Sequence, residues 1–60
     1  MENYVIYVNN DGFFESMGHN GITFTKEIDR AFQMGIKSAR DIVKNFENSG
    51  KDCCILKVIE

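Results

Sequence analysis

The side chains with the most reactive chemistry in this chain are one histidine, His19, and an adjacent pair of cysteines, Cys53-Cys54. A general base needs a partner that orients it and a nucleophile or substrate within reach. His19 stands in Met17-Gly18-His19-Asn20-Gly21, whose residues supply neither, so it is expected to be a solvated turn residue. Neighbouring cysteines cannot staple distant segments, and in an extended strand their side chains point to opposite faces. They are expected to be reduced, one thiol buried and one near the surface. Two thiols and one distant imidazole are a poor ligand set, so no metal is expected. The chain has no glycine-rich phosphate loop, no Ser/His/Asp set and no paired carboxylates on a common helical face. No catalytic residue, no cofactor and no enzymatic activity are expected.

A second chemistry is phosphate binding. Lys37, Arg40 and Lys44 follow an i, i+3, i+7 spacing that places three positive charges in one stripe of a helix, and Lys51 follows soon after. Against this, Asp41 and Glu47 lie within a turn, the net charge is −2, and neutralising several phosphates needs more unpaired Lys and Arg than are present. A solvated, ion-paired face is the favoured reading, and a nucleic-acid contact through these four residues is the alternative.

The elements that position these residues follow from periodicity. Asn3 to Asn9 is rich in β-branched and aromatic residues and runs into Asn9-Asn10-Asp11-Gly12, a hairpin turn with positive φ. The return strand, Phe13 to Met17, is expected to put Phe13, Glu15 and Met17 on one face and Phe14, Ser16 and Gly18 on the other. Asn20-Gly21 marks a second turn, followed by a short extended piece at Ile22-Thr23-Phe24. From Thr25 the apolar period becomes helical through Ile28, Ala31, Phe32, Gly35, Ala39, Ile42, Val43 and Phe46. One helix over 26–48 would be about 35 Å long, against strands of about 17–20 Å. A break at Phe32–Gly35 is therefore expected. It leaves a short helix capped by Thr25 and a main helix from Ile36 or Ser38 to Asn48. Ser38-Ala39-Arg40-Asp41 resembles a capping box and favours the later start. Ser49-Gly50 closes the helix, and Lys51 to Glu60 forms the last strand.

The fold class is thus α+β, a small antiparallel sheet of three to four strands packed on one main helix, in the order β-β-(short α/β)-α-β. Sixty residues with 43% hydrophobic content make a single domain, 1–60, with a thin stability margin. Such a chain is expected to draw support from self-association or a partner. The amino terminus, MENYVIYV, has no signal-peptide pattern and no stretch reaches membrane-span length, so a cytoplasmic protein with no membrane contact is expected.

Thr25-Lys26-Glu27-Ile28-Asp29-Arg30-Ala31, with Ala39, Val43 and Phe46 in the helix, resembles a class of very small, uncharacterised phage and prophage proteins. These open with a β-hairpin, pass through a Thr-x-Asp/Glu-Ile-x-x-Ala segment and a helix, and close with a strand. Met34 sits where an aromatic is usual, and Gly35 departs from the usual capping residue. The resemblance implies a viral protein of this fold in the host cytoplasm and, since such proteins include inhibitors of this kind, an inhibitor of a host enzyme or of a bacterial defence system, for example an anti-CRISPR-like one.

One helix covers one sheet face, yet Tyr4, Ile6 and Val8 lie on one face and Val5 and Tyr7 on the other, with Phe13 and Phe14 divided between them. One apolar set is expected to stay uncovered unless the loop from Gly18 to Phe24 folds over it. Tyr4, Val5, Tyr7, Phe13, Phe14 and Met17 are the candidate protein-binding residues. The partner is expected to be a host protein or a second copy in a homodimer.

Overall fold

Two turns shape the first three strands. The computed structural model describes residues 3–59. β1 (Asn3–Val8) turns into β2 (Gly12–Gly18) with the Asp11 N–H donating to the Val8 carbonyl at 3.1 Å. Asn10 takes the left-handed position at φ 74, as a type II turn requires of its third residue. Gly12 follows at φ 110 and permits the backbone of β3 (Gly21–Thr25) to come close, since a Cβ there would stand 2.7 Å from the Thr25 carbonyl oxygen. His19-Asn20 forms the second turn, between the paired Gly18 and Gly21.

The sheet has four strands in the order β3-β2-β1-β4, all neighbours antiparallel, with β4 at Cys53–Val58. One helix, α1 (Ile36–Asn48), packs on it, giving the α+β architecture that the periodicity predicts. Glu60, which the sequence pattern puts in the last strand, lies outside the described residues. Beneath α1 the core is Ile6, Val8, Phe14, Met34, Ala39 and Phe46, with Tyr4, Phe24, Ile42, Val43, Cys53 and Ile55 packed around it.

The expected break in the helical pattern is present, and tertiary pairing explains it. A short 3-10 turn at Ile28–Arg30 stands where the short helix was expected, and the Thr25 hydroxyl accepts the Glu27 N–H at 3.2 Å. The chain then extends beside β1: Tyr4 and Met34 exchange backbone hydrogen bonds of 2.8 and 2.9 Å. α1 begins at Ile36, earlier than the capping box at Ser38 implied, with Gly35 as an N-cap that has no side chain to offer. Its end is a Schellman motif: Gly50, at φ 84, donates to Glu47, and Lys51 donates to Phe46.

The alternation expected for β2 is corrected by a bulge between Phe14 and Ser16. Phe14 pairs with Phe24 and Met17 pairs with Ile22; Phe24 and Ile22 are two apart on β3, so Met17 shares the face of Phe14. The extra residue, Glu15, absorbs the change of parity, and Ser16 meets Thr23 through their hydroxyls on the opposite side.

Candidate functional site

The structure disperses the six expected contact residues. Val5 is fully buried and Phe14 nearly so, and neither offers surface to a partner. Tyr4 packs against the core under α1. Tyr7 and Phe13 are half-buried, edge to face at 5.1 Å and 70°, on the sheet face away from α1. Met17 alone is well exposed, at 63%.

The expectation of one bare sheet face is therefore corrected. The segment from Gly18 to Phe24 does not cover the far face; it is a turn and an edge strand. The connection from Thr25 to Met34 does the covering. It has to pass from the outer strand β3 to the flank of β1, and it crosses β2 on the way. The Phe32 N–H donates to the Phe14 carbonyl at 2.9 Å, and Arg30 Nε lies 3.5 Å from a Glu15 carboxylate oxygen. Ala31 and Val5 are the buried residues outside the cluster beneath α1, and this crossing closes that part of the far face.

Uncovered apolar surface appears instead on the helix side. α1 packs mainly on β1 and β4, so the distal halves of β2 and β3 are flanked by it rather than covered. There the bulge has turned Met17 and Ile22 toward the helix side, where both stay exposed. Phe32, 52% exposed, comes in from the connection and stands edge to face on Phe14, its ring centre 6.1 Å away. Phe14 in turn leans on Phe46 at 6.0 Å, so the recess has a rigid aromatic floor. The recess holds about 260 Å³ and is lined by Phe14, Glu15, Ser16, Met17, Phe32 and Ile42. A smaller one of about 120 Å³ adjoins it across Met17 and Ile42 and brings in Ile22 and Phe46. Phe32 and Ile22 were not singled out in the sequence; the bulge and the crossing connection that expose them leave no composition signal.

A larger recess lies elsewhere, at the first turn, about 470 Å³ lined by Tyr7, Asn9, Asn10, Asp11, Gly12 and Lys26. It is polar, and nothing in it pairs a base with a nucleophile. Of the basic residues, Lys37, Arg40 and Lys44 are exposed on α1. Lys51 is turned away from them into an ion pair with Asp11, Nζ to carboxylate oxygen 2.8 Å. The four do not form one basic patch.

Cys53 is half-buried beneath α1, its thiol 3.8 Å from the Val43 carbonyl, and Cys54 is exposed. Burial raises the pKa of the Cys53 thiol above its ordinary value, and Glu47, Cys54 and Asp52 add to the shift. This is the opposite of what an activated thiol needs. His19 is exposed in its turn. Among the described residues no three His, Cys, Asp or Glu side chains gather as metal ligands would, and no helix is long and apolar enough to cross a membrane. Compared with protein-family models, with curated proteins and with solved structures, the chain matches none.

Proposed function

We propose that this protein is a small binding module that docks an apolar anchor of a partner protein in the recess between Phe32 and Met17. The observation that carries the reading is the gathering of Met17, Ile22 and Phe32, all exposed, around Ile42 on a floor made by Phe14. Large flexible and aromatic side chains at a concave site give contact area with adaptable packing. At about 260 Å³ the recess is below the usual range for small-molecule sites, roughly 300–1,000 Å³. It suits one or two apolar side chains of a protein instead. The exposed Arg30, held by Glu15, gives the rim a polar element that can fix orientation.

The resemblance to very small phage proteins supports a bacterial host protein as the partner, with inhibition by occlusion as the mode of action. A binding role of this kind needs no catalytic set. A nucleic-acid role gains nothing from the geometry, because Lys51 is drawn away from the helix stripe.

The test is capture from a bacterial lysate by immobilised protein, with the interacting chain identified and its affinity measured by calorimetry. Phe32→Ala and Met17→Asp are expected to weaken binding about tenfold or more, while leaving the melting transition close to wild type because both side chains are exposed. Phe14→Ala is a control for the fold: a nearly buried ring lost from so small a core costs about 3–5 kcal/mol and is expected to unfold the chain. A partner bound equally well by wild type, Phe32→Ala and Met17→Asp would refute the assignment.

A further inference from the structure

We infer that β4 is a self-pairing edge, and that two copies join through it about a twofold axis at Ile55 into a continuous eight-stranded antiparallel sheet. Hydrogen-bond parity decides which backbone groups of β4 face outward. Tyr4 exchanges both its backbone bonds with Met34, so its N–H and C=O point away from β4. Alternation then directs Val5 and Tyr7 toward β4, and the Asn9 N–H continues the series by donating to the Asp52 carbonyl at 2.8 Å. Their partners Leu56 and Cys54 are occupied inward, which turns the backbone groups of Cys53 and Ile55 out along the free side of the strand. Among the described residues no strand lies on that side. The chain has no proline, and no register shift interrupts the β1–β4 ladder. It thus lacks two common devices that blunt an edge.

The occupant is identified by what the same edge offers back. With Ile55 opposite Ile55 of the second copy, Cys54 falls opposite Leu56, both exposed and both on the far face beside Tyr7 and Val5. Each gains an apolar cross-strand partner in place of water. Lys57 falls opposite Cys53 of the second copy.

Packing above the sheet agrees. α1 sits over β1 and β4, about one strand spacing from the twofold axis, so the two helices would lie roughly 10 Å apart, at the upper end of the range for packed helices. The flank they present carries Val43, whose carbonyl is beside Cys53, and Ile36, seven residues earlier; both are half-buried in the single chain. The recess under Phe32 lies toward β2 and β3 at the opposite side of the sheet, so a dimer leaves both copies of it open.

Sedimentation equilibrium across micromolar to millimolar concentration is expected to show a shift from 6.9 kDa to twice that mass. Leu56→Asp should weaken dimerisation about tenfold or more, because it sets a carboxylate in the apolar pair with Cys54 of the other copy. Leu56→Cys is expected to form a covalent dimer under glutathione disulfide through Cys54 of the other copy, and Leu56→Cys with Cys54→Ser is not. Circular dichroism of each variant confirms that the fold is kept. A wild type that stays monomeric at millimolar concentration overturns the inference. So does a dimer that Leu56→Asp leaves unweakened, or one cross-linked in the wild type through Cys54 to itself. Mass and partner capture are separate readouts, so failure here is distinct from failure of the proposed function.

Discussion

At the scale of single residues, the positions with the largest consequence for the fold are conformational. Gly12 is the clearest case. Its φ of 110 and the Thr25 carbonyl 2.7 Å from any added Cβ leave room for no other residue. Gly12→Ala is expected to lower stability by about 1–3 kcal/mol, measured by urea unfolding. Cys53 makes a second prediction, with a definite sign. Its thiol pKa is raised in the folded chain by burial first and by Glu47, Cys54 and Asp52 after it. The unfolded thiol therefore loses its proton first. Stability is full at neutral pH and is expected to decline as pH rises past about 8.5, until the native thiol also ionises. Cys53→Val should remove that part of the alkaline decline in a pH series of unfolding curves. Iodoacetamide at pH 8 should label the exposed Cys54 before Cys53, as peptide mass mapping would record.

At the scale of elements, the boundaries of α1 show how pairing overrides local preference. The capping box at Ser38 favours a start there, yet the helix begins at Ile36 because Met34 is held in extended form against Tyr4 and the chain is free to coil immediately afterwards. The result is a poor N-terminus: Gly35 gives no side-chain hydrogen bond, and no acidic residue stands in the first turn. A Cβ at position 35 would meet nothing within 4 Å. Gly35→Asp is expected to stabilise the chain by about 0.5–1 kcal/mol through a cap bond and a favourable charge at the helix dipole. In a domain of this size that raises the melting temperature by several degrees, read by calorimetry. The bulge at Glu15 has the larger functional effect, because a single extra residue moves Met17 to the helix side.

At the scale of the whole molecule, the balance is between a very small core and a chain folded tightly around it. The radius of gyration is 10.7 Å, close to the roughly 10.4 Å expected of a compact chain of this length. Two of the eight buried apolar residues among those described are alanines, so burial leaves a thin margin against chain entropy. Any species that binds the folded form alone adds directly to that margin. If two copies join at β4, the melting temperature should rise with protein concentration, and the Leu56→Asp variant should show a smaller rise. Differential scanning calorimetry at concentrations spanning a hundredfold would measure both.

The sequence by itself determined the local features: three to four strands, two turns, the helix stop at Ser49-Gly50 and the break near Phe32–Gly35. Each is carried by side-chain periodicity or by residues that tolerate positive φ, and these act over a few positions. Tertiary structure decided which surface stays open. Val5 was legible as apolar but not as buried, since its cover comes from a connection some 26 positions along the chain that crosses β2. Met17 was legible as a contact residue but assigned to the wrong face, since alternation counts residues and a bulge breaks the count. Phe32 fits the helical stripe, yet its segment is drawn out straight by β1. Exposure depends on which segments meet in space, and a local pattern holds no record of that.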